Sequence, residues 1–400
     1  MIALFLFLLC VCLFVFSFLY FKNIWHPSVL IFIPWTFVFL GLFICRDDFV
    51  EYKEYPFLVI FSGIVSMSLG GILFPNYNLK IMNIRSIKPK CVGVTFIFLI
   101  LVFLCYFPFF FIDRLNFIIG EMTYSAFRTA SLNAGSGVVN RIMQVFLIII
   151  ALIWHNRVKD KKHAKFLALA LFSYFCYMIT MGNKAYFIQL IIFISCLLFT
   201  SSQLNIVNRS KHLFLIILLI VVVLWAMSFF RDGSSNILNQ IKIYLLSGVI
   251  IFQELMSAIP TDQWIVPMGQ LGSILTFIEN LKLNSQSSDL PFTFVGEELF
   301  GNTATVFFYF YHAGGIIGVC FFSFLTGMIH TYFFILAIKG SLSSYFIYLY
   351  LNSYLFITFF DLGFISMPFS VIFFIIAVKI FVDLRLMSKK ISISVSDKKL

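Results

Sequence analysis

Charged side chains are scarce in this chain. Asp, Glu, Lys and Arg make up 11% of its 400 residues, whereas they are about a quarter of an ordinary soluble protein. Hydrophobic residues reach 61%, and Phe alone occupies 55 positions. A soluble fold with this composition would leave large apolar patches in contact with water. The composition therefore excludes an arrangement of soluble domains and predicts a polytopic membrane protein whose solvent is mostly lipid.

Metal-binding motifs are also missing. The eight cysteines are scattered or lie within apolar runs, and neither they nor the six histidines show the spacing of a metal or redox site. No Asp-x-Asp pair occurs. We therefore expect no metal and no cofactor. The net charge of +11 is spread over loops between apolar segments, so we expect a lipid bilayer, and not a nucleic acid, as the surrounding partner.

Long apolar runs are what the chain does contain. A membrane-spanning helix needs about 20 such residues, with a range of about 17 to 25. The runs predict an all-α polytopic fold with eleven transmembrane helices, a single integral membrane domain over residues 1–400. The approximate spans are 2–21, 28–45, 56–75, 91–112, 138–154, 166–181, 185–200, 212–230, 304–338, 342–360 and 364–384.

Basic residues segregate to one side of this arrangement. The loops after the third and fifth spans are rich in Lys and Arg, which places them in the cytoplasm by the positive-inside rule. With eleven spans, the cytoplasmic side then holds nineteen of the 28 basic residues and three of the 17 acidic ones. The pattern predicts a periplasmic N-terminus and a cytoplasmic C-terminus. Residues 243–259 are also apolar, but a crossing there would invert the later loops. We therefore predict a short interfacial or re-entrant helix on the outer face.

Chemistry is expected at the outer surface, because the spans contain almost no ionisable residue. The first long outer loop covers residues 113–137. On one helix, Arg114 and Arg128 would share a face with Glu121, and Arg141 opens the next span. Arginine forms paired hydrogen bonds with phosphate oxygens, so these residues favour a diphosphate site. The alternative is a surface network of salt bridges and head-group contacts.

The large outer loop, residues 231–303, supplies the other candidates. Glu254 lies in the apolar outer helix, where it either faces a polar cavity or pairs with Lys242. Asn302 is a suitable cap for the ninth helix, whose N-terminus attracts anions. The further candidates around these outer turns are Lys184, Arg231, Tyr244, Glu297, Glu298 and His312.

Several of these segments resemble the bacterial O-antigen and oligosaccharide repeat-unit polymerases (Wzy-type), which are relatives of O-antigen ligase. The topology is similar over nearly the whole chain. The matching segments are Phe127–Arg128 through Arg141, Met181–Lys184, Ile243–Gly248, Gly301–Thr305 and Gly315–Gly318. Two departures stand out. Lys184 replaces an arginine of the family's short turn, and Ala313 and Gly314 replace the acidic residue often found before Gly-x-x-Gly.

The resemblance implies a metal-independent glycosyltransferase of the bacterial inner membrane. One undecaprenyl-diphosphate-linked glycan would donate its chain to a second, on the periplasmic face, with a chain-length regulator and a flippase as possible partners. The substrate-binding residues would be Arg114, Arg128, Arg141, Lys184, Arg231, Tyr244 and Asn302. The reaction would also need a base that accepts the proton of the acceptor hydroxyl. The candidates are His312, Glu254, Glu297 and Glu298, and the sequence does not rank them.

Two other functions remain open. A flippase for lipid-linked oligosaccharides would also lack strong motifs, but it usually has two similar halves and charges inside the membrane, and neither is seen in this sequence. A ligase-like transferase would share both the leaving group and the periplasmic site. Sugar identity, linkage and stereochemistry are not encoded in any motif that we find.

Overall fold

The structure is a computed structural model. It describes residues 1–74, 242–243, 245–258, 293–296, 299–301 and 305–359, with a short stretch at 190–197 and isolated positions between 116 and 239. The described residues are mostly helical. The elements are α1 (Ile2–Phe21), α2 (Pro27–Leu30), α3 (Phe32–Ile44), a 3-10 turn (Arg46–Asp48), α4 (Glu54–Gly70), α5 (Ser247–Ala258), β1 (Thr293–Gly296), β2 (Leu299–Gly301), α6 (Val306–Ile338) and α7 (Leu342–Leu355).

The chain forms two compact units. The first consists of residues 1–81, 202–335 and 350–367, and the second of residues 82–201, 336–349 and 368–400. The named helices and strands lie in the first unit, except for the end of α6 and the first part of α7, which belong to the second. In the second, every described position within the predicted spans 138–154, 166–181 and 185–200 is helical.

Three stretches among the described residues are long and apolar enough to cross a bilayer: Ile2–Phe21, Pro27–Ile44 and Gly315–Ile338. They coincide with predicted spans, so the expectation of a membrane protein is confirmed at this level. Helix α1 shows the reason most directly, because Leu6 and Cys10 pack inward while Phe5, Phe16 and Leu19 are exposed. Such an apolar exterior suits lipid and not water. The full count of eleven spans involves segments outside the described residues.

The turn between α1 and α2 closes one end of the helices. His26 caps α2 by accepting a hydrogen bond from the Ser28 amide at 3.2 Å. Its ring stacks on Phe21 with the centroids 3.6 Å apart and meets the edge of Phe334 at 5.1 Å. Burial in this apolar setting lowers the pKa of His26 to about 3. His26 is therefore a neutral structural residue in the folded protein.

Glycines allow α4 and α6 to cross in close contact. A methyl group on Gly70 would collide with the backbone of Phe324 and Met328, and one on Gly327 would collide with the backbone of Met67. Small residues are the usual means by which membrane helices approach at backbone distance. This crossing fixes α4 against the membrane-spanning part of α6.

Helix α6 does not continue straight from end to end. A side chain on Gly63 of α4 would meet both Phe307 and Val319, so these two residues contact the same point. They are twelve residues apart, which is about 18 Å along a straight helix. A straight α6 cannot place both beside one glycine, and the helix must bend sharply between them.

Gly315 provides that bend. Its φ of +60° is left-handed, a conformation that glycine adopts without steric cost. A second pair of residues requires the same bend, since the rings of Phe310 and Phe322 stack with centroids 5.6 Å apart although the residues are twelve positions apart. The midpoints of the two pairs, positions 313 and 316, lie on either side of Gly315. We call Val306–Gly314 the lead segment of α6.

The lead segment begins in the middle of the helices. Trp35, at the midpoint of the apolar stretch 27–44, lies 5.4 Å from Phe307 between ring centroids. Trp35 Nε1 donates to Thr358 Oγ1 at 3.0 Å, and the Thr358 carbonyl accepts from the Val306 amide at 3.0 Å. The segment then reaches Tyr311, beside Tyr55 at the start of α4. The prediction of one continuous span over 304–338 is therefore wrong: a re-entrant segment precedes the span, because glycine permits the reversal.

The predicted interfacial helix of the first outer loop also needs correction. Gly120 is a turn residue with a φ of +87°. A regular helix cannot pass through this conformation, so a helix that joins Arg114 to Arg128 is interrupted there. The shared face that the sequence suggested for these arginines rested on a continuous helix. Both arginines lie outside the described residues.

Candidate functional site

Residues 46–53, which we call the strap, form a charged layer at the end of the helices where α3 stops and α4 starts. Asp48 of the strap forms an ion pair with Lys242, at 2.8 Å between Oδ2 and Nζ. The lysine side chain is 11% exposed and the aspartate side chain 42%. The ion pair joins the strap to the residues that precede α5, two segments that the sequence predicted on the same outer face.

Gln253 holds the strap to α5 itself. Its side chain is fully buried. Its carbonyl oxygen Oε1 accepts from the Lys53 amide at 2.8 Å, and its Nε2 donates to the Glu51 carbonyl at 2.8 Å. A side-chain amide offers both a donor and an acceptor, so Gln253 satisfies two backbone groups of the strap as a neighbouring strand would.

The same amide reaches Glu254. Gln253 Nε2 donates to Glu254 Oε1 at 3.1 Å. Glu254 is partly exposed, in contrast to the fully buried glutamine before it. The site thus holds a partly exposed carboxylate that accepts a hydrogen bond from a fully buried neighbour. Of the two alternatives for Glu254, pairing with Lys242 is not what the structure has, because that lysine binds Asp48.

A short hairpin covers the strap from the other side. Strands β1 and β2 are antiparallel, with Phe294 opposite Phe300 and a bulge before Gly296. The Val50 amide donates to the Val295 carbonyl at 3.0 Å, and Phe49 forms a bridge with Gly296. Glycine is required at 296, because a side chain there would collide with the Asp48 carbonyl. The hairpin is an exception to the all-α prediction.

Tyr52 anchors the strap to α3. Its hydroxyl donates to the Leu42 carbonyl at 2.9 Å, and its ring packs on Phe57 with the centroids 5.2 Å apart. Burial, with a smaller contribution from Cys45, raises the pKa of Tyr52 above its usual value. The phenol therefore stays protonated and acts as a hydrogen-bond donor over the physiological pH range.

The lead segment of α6 reaches this layer through aromatic contacts. Phe252 of α5 meets Tyr311 edge to face, with ring centroids 5.8 Å apart. Glu254 lies two positions after Phe252, and His312 lies one position after Tyr311. The backbone of His312 is thus helical and one residue from the contact with α5. This places two of the four candidates for the base on elements that touch.

Helix α5 covers most of the segment 243–259, for which a short helix was predicted. Its twelve residues, Ser247–Ala258, extend for about 18 Å, well short of the roughly 30 Å of a hydrocarbon core. Val249, Ile250 and Phe252 are fully buried against the other elements. The helix is therefore a short packed element and not a span.

The other predicted site residues fall outside the described part of the chain. The structure describes Glu254 in full and the backbone of His312. Those that lie outside the described residues are Arg114, Arg128, Arg141, Lys184, Arg231, Tyr244, Glu297, Glu298 and Asn302. Their grouping around a diphosphate stays a prediction.

The strap was missed by the sequence reasoning. Its signal was present, because Arg46, Asp47 and Asp48, with Glu51 and Lys53, form the densest group of charges among the first 75 residues. Such a density in a short loop between two apolar runs indicates a polar surface, though not its partners.

The assembled layer can hold a carboxylate in a fixed position beside a polar boundary and next to buried hydrogen-bond donors. Among the described residues, no group of His, Cys, Asp and Glu is arranged to hold a metal ion. Comparison with protein-family models, curated proteins and solved structures finds no match for this chain.

Proposed function

We propose that this protein is a membrane glycosyltransferase that polymerises undecaprenyl-diphosphate-linked oligosaccharide repeat units. In this proposal the charged layer lies on the periplasmic face of the bacterial inner membrane. The helices hold the polyprenyl chains of donor and acceptor, and the layer holds their head groups. The product is a longer surface polysaccharide, such as an O antigen.

One observation carries the proposal: both described ends of the large loop 231–303 pack onto the strap at one end of apolar helices. The start of the loop contributes Lys242 and α5, and its end contributes the hairpin. A transferase that acts on lipid-linked sugars needs such a polar layer at the membrane surface, where head groups lie. The presence of Glu254 in this layer adds a group able to accept a proton.

The chemistry assigns different tasks to cations and carboxylates. The donor loses a diphosphate, and positive charge that strengthens its contacts as the C–O bond breaks lowers the barrier. In the proposal Arg128, Arg141 and Lys184 serve this purpose, with Arg114 or Arg231. The acceptor hydroxyl gives up its proton to a base.

Deletion of the gene tests the reaction in cells. We expect the null strain to carry surface lipid with a single repeat unit, and complementation with the wild-type chain to restore the ladder of longer chains. A flippase null would carry no repeat unit on the surface lipid. A ligase null would accumulate polymer that is not attached to its final acceptor. Either of these phenotypes would contradict the proposal and support the corresponding alternative.

Purified protein gives the direct assay. The null strain supplies the lipid-linked repeat unit, which is then incubated with the protein in nanodiscs. We expect products with two or more repeats and release of undecaprenyl diphosphate, both measured by mass spectrometry. Arg128→Ala and Arg141→Ala are expected to lower the rate at least tenfold without loss of protein. Wild-type chain lengths in both variants would contradict the diphosphate role of these arginines.

A further inference from the structure

Gln253 is unusual among the described residues because one buried side chain contacts three other residues in the polar layer. Its amide bonds to the backbone of Lys53 and of Glu51, each at 2.8 Å, and to the carboxylate of Glu254 at 3.1 Å. The two strap residues are about two hundred positions away in the chain. A local helical interaction is thus tied to a distant loop.

These contacts restrict the orientation of the amide. If Oε1 and Nε2 of Gln253 exchanged places, the nitrogen would face the Lys53 N–H and the oxygen would face the Glu51 carbonyl. Both contacts would then be repulsive. The strap therefore fixes Nε2 towards Glu254 Oε1, and a donor held in place costs little reorganisation when the carboxylate is charged.

We propose that Glu254 is the base that accepts the proton of the acceptor hydroxyl, and that Gln253 is its positioning residue, held in turn by the strap. This inference rests on the proposed function and selects one of the four candidate bases. Glu254 qualifies because it is partly exposed while its neighbours on α5, Phe252 and Gln253, are fully buried.

The proposed step is a displacement in which one C–O bond forms and another breaks. The acceptor oxygen attacks the anomeric carbon of the donor, and the bond between that carbon and the diphosphate oxygen breaks. Undecaprenyl diphosphate leaves with the electron pair of that bond. The hydroxyl proton passes to a Glu254 carboxylate oxygen and is later lost to water. No metal, oxidant or other reactant is needed.

The pH dependence of the reaction reports on the Gln253 contact. The Nε2 donor stabilises the negative charge of the Glu254 carboxylate, and the Gln253→Met variant lacks that stabilisation. A base works only when it is deprotonated, and the acid limb of the kcat profile therefore moves to higher pH. The other charged or titratable residues before α5 and on the segments packed against it are Lys242, Arg46, Asp47, Asp48, Glu51, Tyr52, Lys53, Glu54, Tyr55, Tyr309, Tyr311, His312, Cys320, His330 and Tyr332.

The experiment compares four proteins in the nanodisc assay: wild type, Glu254→Gln, Gln253→Met and Lys242→Met. Glu254→Gln keeps the Gln253 clamp and removes the base, and we expect kcat to fall at least a hundredfold with little change in KM. Gln253→Met replaces glutamine by a side chain of nearly the same shape and removes the Nε2 donor. We expect it to lower kcat and to move the acid limb of the kcat profile to higher pH.

Lys242→Met is the matched control, because it removes only the ion pair with Asp48 and leaves the hydrogen bonds of Gln253 in place. We expect its acid limb to coincide with that of wild type. A Glu254→Gln enzyme with at least a tenth of the wild-type kcat would overturn the assignment of the base. An unshifted profile in Gln253→Met, or the same shift in Lys242→Met, would overturn the positioning role. If wild type forms no polymer, the proposed function itself fails, and the inference fails with it.

Discussion

Replacing Asp48 by Asn is expected to destabilise the protein more than replacing Lys242 by Met, although both variants break the same ion pair. The pair measures 2.8 Å, but its two partners differ in exposure, at 42% for the aspartate side chain and 11% for the lysine side chain. Loss of the lysine leaves a carboxylate that water can reach. Loss of the aspartate leaves an ammonium group that is nearly buried.

The exposure of each side chain determines how much its partner's removal destabilises the protein. Removing one partner of a fully buried pair costs about 3–5 kcal/mol, whereas an exposed pair contributes about 0–1 kcal/mol. Asp48 is more than a third exposed, so the buried figure must be reduced for solvent screening. We expect about 2 kcal/mol for Asp48→Asn and less than about 1 kcal/mol for Lys242→Met, which keeps the apolar stem of the side chain.

The measurement is equilibrium unfolding of the three proteins in one detergent at one salt concentration, followed by tryptophan fluorescence. The double variant supplies the control. If the cost of Asp48→Asn comes from the stranded ammonium group, adding Lys242→Met should recover part of the lost stability. Equal costs for the two single variants, or a double variant less stable than Asp48→Asn, would refute the reasoning.

Three further predictions concern the frame that carries the site. Gly327→Ala is expected to cost about 1–3 kcal/mol because its methyl group collides with the α4 backbone, whereas Gly315→Ala, in open space but at a φ of +60°, is expected to cost about 1–2 kcal/mol through backbone strain. Gly315→Asn should then be milder than Gly315→Ala, and thermal unfolding distinguishes the two mechanisms. The pKa of His26 is about 3 in the folded protein and about 6.5 in the unfolded chain, so between these pH values the unfolded state binds one more proton than the folded state. Through this group, the free energy of unfolding of wild type falls by about 2 kcal/mol between pH 8 and 5. A His26→Asn variant should lack this loss, and parallel stability curves would contradict it. Trp35→Phe and Thr358→Val each remove a partner of one buried hydrogen bond, and their double-mutant cycle should give a coupling of about 1 kcal/mol; additive costs would argue against that bond.

Apolar length predicted most of the described helices. The predicted span 2–21 has the bounds of α1, and 28–45, 56–75 and 342–360 differ from the structure by a few residues at their ends. This success has a simple physical reason, since in lipid every backbone group must be bonded within its own helix. A run of about 20 apolar residues then has few other conformations to adopt.

Contacts between distant segments could not be predicted in the same way. Gln253 and the Glu51 carbonyl are 202 positions apart, and nothing in the local sequence of either connects them. Glu254 was a candidate from its type and its place in an apolar helix, but its orientation depends on the glutamine before it and on the strap. The hairpin was missed because its strands have four and three residues, too few for a periodic pattern.

The sequence by itself determined that this chain is a membrane protein, because its apolar content and its scarcity of charge are not compatible with a soluble fold. It also determined which runs are helical, and it drew attention to Glu254. Only the tertiary structure decided that α6 reverses at Gly315, that the strap and α5 form one layer, and that Glu254 has a fixed donor beside it. The preference of each residue for lipid or water adds up along the chain, so composition alone predicts a membrane protein. A site requires particular side chains to lie together, and that depends on packing between segments that are far apart in the sequence.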